Sequence, residues 1–398
     1  MIDRLALTNF KAFQHADLPL GPLTLLTGLN SSGKSSVLQA LALLHQTYTA
    51  GNLDRAGELA QARAAGRPAP AHDNGFLLNG ELVRLGTGMD ALHEDFAGDE
   101  PEITLAVSEG AWRYSWTVRY EAEQNLLPLI GVGLPLTSES SAARPAGEAA
   151  VIPRYFTAGF QYLLADRISP AESYPRDHQV AIGRGFLGVR GEHTVNFLRH
   201  HHQARVEVPK GPLRHPRAES ALLLDQAAAW MGELCPGVDI RAETIENTDS
   251  VRLSYGFGDG LTTSRRRRPT NVGFGLTYVL PIVVACLTAR PGSLVLLENP
   301  EAHLHPQGQT RMARLAAASA AQGAQLIVES HSDHVLNGVR LAVKQGLLAP
   351  HQAVLHYFRG DGTGVDVISP RIDRDGLLDQ WPEGFFDELE NTLEKLLD

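Results

Sequence analysis

Three short apolar runs, each followed by polar residues and then by a helical pattern, recur along this chain. They lie at residues 23–27, 294–297 and 325–328. Continuous apolar runs of this length are typical of strands that are buried on both faces of a parallel sheet. Polar residues at the carboxyl ends of such strands meet at one edge, where open α/β sheets bind ligands. The pattern therefore predicts an α/β protein with a doubly wound sheet and one site along that edge.

Alternating apolar and polar residues predict antiparallel hairpins at two other places. Residues 102–107 and 112–121 alternate on either side of a Glu-Gly turn. Residues 353–359 and 364–368 form a similar pair near the carboxyl end. We expect the first pair to belong to an antiparallel β lobe and the second to a small C-terminal domain.

Residues 28–36, GLNSSGKSS, match the phosphate-binding pattern G-x-x-x-x-G-K-[ST]. The glycines permit a tight turn whose amides face an anion, while the lysine binds the β and γ phosphates and the serine hydroxyl binds Mg²⁺. A glycine-rich turn with an incidental lysine is the alternative, but an apolar run precedes the loop and residues 37–44 have helical spacing. The predicted nucleotide-binding residues are Gly28, Asn30, Ser31, Ser32, Gly33, Lys34, Ser35 and Ser36, of which Ser35 is also a predicted magnesium ligand.

Acidic and histidine side chains follow the other two apolar runs. Glu298 ends the second run, at the position where a nucleotide fold needs an acid to hold Mg²⁺. His331 follows the third run and is a candidate sensor of the γ phosphate, with a satisfied structural histidine as the alternative. A zinc site is the weaker interpretation of four nearby residues, which are His303, His305, Asp333 and His334.

The composition narrows the class of protein. With 43% hydrophobic and 20% charged residues the chain is globular, and two cysteines cannot form a disulfide framework or a four-thiolate zinc site. The sequence shows no apolar run long enough to span a membrane and no signal peptide. These features predict a cytoplasmic protein without a membrane partner.

A run of four arginines interrupts a chain whose net charge is −10. This charge argues against a generally basic nucleic-acid-binding surface but permits local basic patches. The run is therefore a candidate contact for DNA or RNA phosphates or for an acidic partner, and a solvated loop is the alternative. Its members are Arg265, Arg266, Arg267 and Arg268.

Several motifs together resemble a known family. NFKAF near the start, GLNSSGKSS, ENPEAHLHP and ESHSDHVLNGVR resemble the AAA/ABC-type P-loop ATPases related to recombination-repair and chromosome-maintenance heads. They are most similar to the overcoming-lysogenization-defect (OLD) branch and its bacterial defence relatives. YLLADRISPAESYP, NVGFGLTYVLPI and the carboxyl-terminal ISPRIDRDGLLDQWPEGFFDE resemble the subgroup that ends in a small domain of unknown function.

The resemblance implies an ABC-type P-loop NTPase fold with a mostly parallel sheet, an antiparallel β lobe and a helical insertion. The relatives in chromosome maintenance carry long coiled-coil arms. No sustained heptad pattern occurs here, and the Ala-, Pro- and Gly-rich stretches at residues 56–71 and 142–153 indicate loops, so we expect no long coiled coil.

The resemblance further implies an ATP-driven homodimer or higher homo-oligomer, with ATP and Mg²⁺ as cofactors. The phosphate loop of one copy would meet a signature segment of the other, for which NVGFGLTYV is the candidate, with Gly273, Gly275 and Thr277 as nucleotide contacts. A buried apolar helix with a flexible glycine entry is the alternative. By analogy with the family, the effector is encoded separately and is a partner such as a toprim-type nuclease.

One position departs from the family pattern, in which an Asp for magnesium precedes a catalytic Glu. Here the order is Glu298, Asn299, Pro300 and Glu301, and the Asn299 amide cannot accept a proton as a general base. Either Glu298 or Glu301 takes that role, or hydrolysis is slow and the protein is a switch rather than a motor. The candidate catalytic residues are Glu298, Asn299, Glu301 and His331.

These observations predict five segments. Residues 1–50 and 256–350 are the two parts of the ATPase core, 51–160 a β lobe with loops, 161–255 a mostly helical insertion and 351–398 a small C-terminal domain. The predicted function is a dimerising ATPase that acts as a nucleotide-gated switch in anti-phage defence or DNA processing. The alternatives are a catalytically weak ATP-bound scaffold and, less favoured because no LSGGQ signature is present, a transporter ATPase subunit.

Overall fold

The computed structural model describes residues 1–53, 74–96, 101–133, 153–156, 159–258, 265–360 and 364–386, together with positions 392, 395 and 396. The predicted loop at 56–71 and all but the last residue of the predicted loop at 142–153 lie outside these ranges. Two compact units are present. Unit 1 contains Met1–Gly21, Gly28–Ala158 and Phe358–Val367, and unit 2 contains Pro22–Thr27, Gly159–Tyr357 and Ile368–Asp398.

The described residues form fifteen strands and seven α-helices. The strands are β1 (Arg4–Phe10), β2 (Phe13–Pro19), β3 (Leu23–Gly28), β4 (Gly75–Leu77), β5 (Glu102–Glu109), β6 (Trp112–Arg119), β7 (Leu126–Gly133), β8 (Phe160–Leu163), β9 (Tyr174–Pro175), β10 (Val238–Thr244), β11 (Ser250–Phe257), β12 (Leu294–Glu298), β13 (Gln325–Glu329), β14 (Ala353–Gly360) and β15 (Val365–Ile368). The helices are α1 (Lys34–Thr49), α2 (Gly88–Ala91), α3 (Thr194–Gln203), α4 (Leu223–Leu234), α5 (Phe274–Thr288), α6 (Pro306–Ala321) and α7 (Asp333–Lys344).

Unit 1 contains a six-stranded antiparallel sheet in the order β2-β1-β5-β6-β7-β4. The predicted hairpin at residues 102–121 is confirmed as β5 and β6, which pair from Glu102–Arg119 to Glu109–Trp112. Alternate residues of β6 are buried, namely Tyr114, Trp116 and Val118. This period of two is the pattern on which the hairpin was predicted.

Helix α1 also belongs to unit 1. Its apolar residues at positions 37–44 are buried, as the helical spacing after the phosphate loop predicts. Near its end, Tyr48 stacks on Phe156 with ring centroids 4.3 Å apart. Apolar burial of nearly every residue in this stretch therefore fixes the helix that follows the loop.

Unit 2 holds the parallel core of the protein. The second sheet has the order β15-β14-β3-β13-β12-β8, and β3, β13, β12 and β8 are parallel neighbours. The three apolar runs predicted as core strands are confirmed as β3, β12 and β13, and nearly all of their side chains are buried. The α/β fold with a mostly parallel sheet and a separate antiparallel lobe is therefore confirmed.

The segment 161–255, which we expected to be mostly helical, mixes helices with strands. Helices α3 and α4 lie beside a three-stranded sheet in the order β10-β11-β9, whose pairs are antiparallel. Helix α5 follows it, and its apolar residues 279–287 are buried throughout. Within the described part of the chain, no helix combines the length and the apolar character needed to cross a bilayer.

Candidate nucleotide-binding site

The phosphate loop joins the end of β3 to the start of α1. Three of its residues have positive φ angles, which are 139° at Gly28, 60° at Ser31 and 94° at Gly33. The side chain of Lys34 is 3% exposed, and its ammonium donates hydrogen bonds to the carbonyls of Gly28, at 3.2 Å, and Leu29. The loop is thus closed around a buried cation.

Two of these positions need glycine for physical reasons. A Cβ atom at Gly28 would lie 2.1 Å from the carbonyl oxygen of Phe358, and one at Gly33 would lie 2.8 Å from the ring of Phe13. Gly33 is also the N-cap of α1 and has no side chain with which to cap the first turn. Amides of that turn are therefore suited to bind an anion.

The donor set of the loop fits a triphosphate with Mg²⁺. A buried ammonium, the amides of a helix N-terminus and the hydroxyls of Ser35 and Ser36 are hard donors and acceptors of the kind that phosphate and Mg²⁺ need. Asn30 and Ser31 are exposed, whereas Ser32 is buried and its hydroxyl donates to the Leu29 carbonyl over 2.7 Å. Asn30 and Ser31 are thus accessible from solvent, whereas Ser32 stabilises the turn through its hydrogen bond.

Glu298, at the end of β12, is held by two donors from the β8 region. The hydroxyl of Tyr162 donates to Oε1 of Glu298, and the amide of Ala165 donates to Oε2 over 3.0 Å. Burial, and then the Glu298 charge, raise the pKa of Tyr162 well above its ordinary value, so the phenol remains a donor at neutral pH. The carboxylate of Glu298 therefore already accepts a hydrogen bond on each oxygen.

Asn299 has a left-handed backbone, with φ 42°. Its backbone N–H donates to the carbonyl of Glu329 on the neighbouring strand over 2.9 Å. Its side-chain Oδ1 is buried, and no residue in the described ranges donates to it. A buried acceptor without a donor costs free energy, as does the left-handed backbone. The surrounding structure must therefore hold Asn299 in this conformation.

Arg167, which sequence reasoning missed, supports the same strand end. Its side chain is fully buried, and it donates 2.8 Å hydrogen bonds to the carbonyls of Leu164, Glu298 and Asn299. Burial lowers the pKa of Arg167 to about 10, which leaves it charged at neutral pH. The signal in the sequence was its position in YLLADRISP, two residues after an apolar run.

Glu301 is a buried carboxylate at this edge, with 8% of the residue exposed, as is Glu329 at the end of β13, with 6% exposed. Oε1 of Glu301 accepts a hydrogen bond from the amide of His331 over 3.0 Å. Burial raises the pKa of Glu301 above its ordinary value, although hydrogen bonds from Ser330 and His331 and the charge of Arg167 oppose the shift. No hydrogen bond to Oε2 is present within the described residues.

His331 itself lies at an exposed position just before α7. The next residue, Ser332, is the N-cap of α7 and accepts from the Val335 amide over 3.2 Å. Its hydroxyl donates to Oε1 of Gln309 over 2.6 Å. The predicted sensor therefore lies on a turn that the cap of α7 holds in place.

The candidate signature segment leads into α5. Gly273 is the N-cap, and a Cβ there would meet nothing within 4 Å, whereas a Cβ at Gly275 would lie 2.7 Å from the carbonyl oxygen of His303. Phe274 between them is 57% exposed. Thr277 is buried and its hydroxyl hydrogen-bonds Tyr255 at 3.3 Å, which does not favour its predicted contact with a nucleotide.

The zinc interpretation finds no support in the described ranges, where no three His, Cys, Asp or Glu side chains converge as ligands. The ring of His303 instead lies edge-on to that of Tyr278, with centroids 4.9 Å apart. His334 is paired with its neighbour Asp333 at 3.7 Å. The histidines near this edge therefore have other contacts.

Three of the four arginines in the run already contact other residues of the chain. Arg266 forms an ion pair with Asp239, and Arg268 forms one with Glu172 at 2.9 Å. Arg267 exchanges backbone hydrogen bonds with Tyr255 and lies over the ring of Phe257 at 5.8 Å. Any nucleic-acid contact of Arg266 or Arg268 would compete with these acids.

Solved structures with similar folds share 13–15% sequence identity with the chain. The SmcHead bound to the C-winged helix domain of ScpA matches 94% of this chain and 98% of that one, at 15% identity and a TM-score of 0.49. The SMC head domain from Thermotoga maritima matches 92% and 98%, at 13% identity and 0.41. The Smc head domain with an extended coiled coil from Pyrococcus furiosus, bound to the C-terminal domain of ScpA, matches 100% and 99%, at 13% and 0.47.

Sequence comparisons identify the family directly. A segment of 44 residues, 11% of the chain, is 46% identical to the OLD nuclease of Thermus scotoductus and spans 8% of that protein. Residues 348–396 match a family described as a protein of unknown function (DUF3696). Residues 23–337 match the family described as AAA domain, putative AbiEii toxin, Type IV TA system. Since this match covers most of the chain, the chain belongs to that AAA-domain family.

Proposed function

We propose that this ATPase binds ATP with Mg²⁺, dimerises, hydrolyses ATP and thereby acts as a nucleotide-gated switch for a separately encoded effector. One observation supports the proposal above all. Leu26 on β3 is the register partner of Glu329 on β13, and Glu329 is the partner of Glu298 on β12. The phosphate loop follows β3 directly, and parallel strands bind ligands at their carboxyl ends.

The phosphates and the Mg²⁺ have candidate ligands in this chain. Lys34 and the loop amides would hold the phosphates, and Ser35 and Glu298 would contribute to the magnesium shell. Bound Mg²⁺ would neutralise charge on the β and γ phosphates during hydrolysis. Lys34 already has a buried ammonium within the loop, so its charge is held ready for an anion.

Glu301 is the better candidate for the general base. Glu298 accepts hydrogen bonds on both oxygens, and Asn299 cannot accept a proton. Glu301 has one oxygen without a donor in the described residues and a pKa that burial raises towards the working pH. The exposed ring of His331 would sense the γ phosphate, and its backbone amide would link that sensor to Glu301.

The family and the exposed start of α5 support a dimer that acts with a separate partner. Gly273 and Phe274 present an open helix N-terminus that would meet the nucleotide of a second copy. The OLD relative is named a nuclease. By analogy we assign nuclease chemistry to a separate effector, such as a toprim-type nuclease, and the biological role to anti-phage defence or DNA processing.

A catalytically weak, ATP-bound scaffold is the second candidate, and Asn299 at the usual general-base position favours it. Such a scaffold would bind ATP and assemble with almost no release of phosphate. A switch would assemble with ATP and then hydrolyse it. The two candidates therefore differ in turnover rather than in binding.

The test combines sizing of the purified protein by light scattering, with and without ATP and Mg²⁺, with steady-state phosphate release. We expect ATP-dependent dimers and measurable turnover, both abolished in Lys34→Ala, and reduced turnover in Glu298→Gln. Dimers without turnover would favour the scaffold. A protein that shows no heat on titration with ATP would overturn both candidates.

A further inference from the structure

We propose that Arg167 is a positioning residue that ties the acidic end of β12 to the beginning of α5, so that the surroundings of Glu301 and the start of that helix change together. This inference rests on the ATPase function proposed above. It concerns a residue to which no nucleotide or magnesium contact is assigned and which donates to the backbone of Glu298 rather than to its carboxylate. Its evidence is the set of contacts that a fully buried guanidinium makes in unit 2.

The free-energy cost of burying the Arg167 guanidinium points to a specific role for this residue. An isolated charge in a protein interior is strongly unfavourable, and Arg is rarely buried without a paired acid. Here the side chain is fully buried, yet its three hydrogen bonds all go to backbone carbonyls. Its Nε has no acceptor within the described residues. A neutral side chain of similar length would avoid the cost of burying a charge.

Two of the three carbonyls belong to the residues that open the acidic turn. The Nη1 group of Arg167 donates to the Glu298 carbonyl, and Nη2 donates to the Asn299 carbonyl, each at 2.8 Å. The planar guanidinium presents its two groups in a fixed fork, which lysine cannot reproduce. Because Asn299 has a φ of 42°, the fork holds a backbone conformation that L-residues rarely adopt.

The same guanidinium also contacts α5. Its Cζ lies 5.7 Å from the centroid of the Tyr278 ring, within cation–π range. Tyr278 in turn contacts the exposed Phe274, with ring centroids 6.5 Å apart, and lies 4.9 Å from the ring of His303. Gly275 approaches the His303 carbonyl closely. A displacement of Arg167 would therefore reach the first turn of α5 through packed side chains.

Electrostatics connects Arg167 to Glu301. The positive charge of Arg167 lowers the pKa of Glu301 and partly offsets the rise that burial causes. The charges of Glu301 and Glu298 in turn favour the charged form of Arg167. Each partner also retains one buried atom without a hydrogen bond in the described residues, Nε of Arg167 and Oε2 of Glu301. Loss of the Arg167 charge should therefore make Glu301 harder to ionise.

The experiment compares Arg167→Lys, which keeps the charge but loses the fork, with Arg167→Met, which loses both. Arg190→Lys is the matched control, because Arg190 is a neighbouring surface arginine whose guanidinium pairs with Asp166 at 3.3 Å. For each protein we would measure kcat and KM for ATP, the pH dependence of kcat, ATP affinity by calorimetry and ATP-dependent self-association. Thermal unfolding and near-ultraviolet circular dichroism report whether each variant folds.

We expect Arg167→Lys to retain ATP affinity and KM within about twofold and to lose about 10- to 100-fold in kcat, as misplaced catalytic groups do. In Arg167→Met the acid limb of the pH profile should move to higher pH, whereas in the Lys variant it should stay. A purely structural role would lower the unfolding temperature without moving that limb. Tyr278→Leu should weaken ATP-dependent self-association more than kcat, and it tests the coupling if Arg167→Met does not fold.

Wild-type kcat and a wild-type pH profile in Arg167→Lys and Arg167→Met would overturn the inference alone. Equal effects in Arg190→Lys would also overturn it. A wild-type protein that neither binds nor hydrolyses ATP would overturn the proposed function, and the inference with it. The two failures are therefore distinguishable in the same set of measurements.

Discussion

The backbone amide of His331 donates a hydrogen bond to Oε1 of Glu301 over 3.0 Å. The two residues follow β13 and β12, which are parallel neighbours in unit 2. A movement of the turn that holds His331 would therefore alter the hydrogen bonding of the buried carboxylate. The proposed sensor and the proposed base are thus connected through one peptide group.

Replacement of Glu301 by Gln should abolish most ATP hydrolysis without preventing ATP binding. The amide keeps an oxygen for the His331 donor but cannot accept a proton, and general-base catalysis contributes about 10²- to 10⁴-fold. Phosphate release measures the rate, and calorimetry measures ATP affinity. Asn299→Ala is the comparison, and it should hydrolyse ATP at close to the wild-type rate. If Glu301→Gln turns over normally, Glu301 is not the base.

The stability of the folded protein should depend on pH through Glu301. Because burial raises its folded pKa above the unfolded value, its contribution is fully present below the unfolded pKa and is lost as the pH rises through the folded pKa. Glu301→Gln should therefore be more stable than the wild type at pH 8, and the gap should shrink towards pH 4. Urea unfolding midpoints at several pH values measure this. A gap that is constant with pH would contradict the prediction.

Tyr162→Phe should destabilise unit 2, because the Glu298 carboxylate loses a donor from a fully buried phenol. Leaving a charged acceptor short of a hydrogen bond costs about 1–3 kcal/mol. Urea unfolding gives the free energy. A cycle with Glu298→Gln provides the control, since the two changes should not be additive if the side chains interact. Additivity within about 0.5 kcal/mol would show that they do not.

Two glycines at the start of α5 form a matched pair. Gly275→Ala should lower stability, because the new Cβ would lie 2.7 Å from the His303 carbonyl oxygen. Gly273→Ala should fold normally, because its Cβ meets nothing within 4 Å and its φ of −62° suits alanine. If the signature assignment is correct, Gly273→Ala should nevertheless weaken ATP-dependent dimers, as measured by sedimentation. Unchanged dimers would remove Gly273 from the interface.

Lys34→Ala should weaken ATP binding by about 10- to 100-fold, the loss expected for hydrogen bonds to a charged group. Calorimetric titration with ATP and Mg²⁺ measures the change. Lys344→Ala is the control, because Lys344 is exposed in the last turn of α7. Equal affinities in the two variants would exclude Lys34 as a phosphate ligand.

The sequence was sufficient for elements whose signals are local. The phosphate loop was predicted from nine consecutive residues and the core strands from short apolar runs, because loop conformation and strand burial depend on neighbouring residues. The hairpin of β5 and β6 was predicted for the same reason. The strands in segment 161–255 were missed, although β10 and β11 alternate apolar and polar residues in the same way as β5 and β6.

Contacts that cross the sheet could not be predicted. Tyr162 and Glu298 are 136 positions apart, and Arg167 and Glu298 are 131 apart. Their proximity depends on β8 being the parallel neighbour of β12, and strand order is not encoded in any local pattern. Without that order, Glu298 and Glu301 remained equivalent candidates for the general base.

By itself, the sequence determined that a glycine-rich loop with one lysine follows a buried strand, and that acids end a second strand far along the chain. These features are local, because a motif and an apolar run need only adjacent residues. The tertiary structure decided which of those acids has hydrogen-bond donors on both carboxylate oxygens and which has a donor on only one. Glu298 receives donors from β8 and the turn after it, whereas Glu301 is buried beside His331 with one oxygen that the described residues leave without a donor. Burial and hydrogen bonding set carboxylate chemistry, and both depend on how distant strands align.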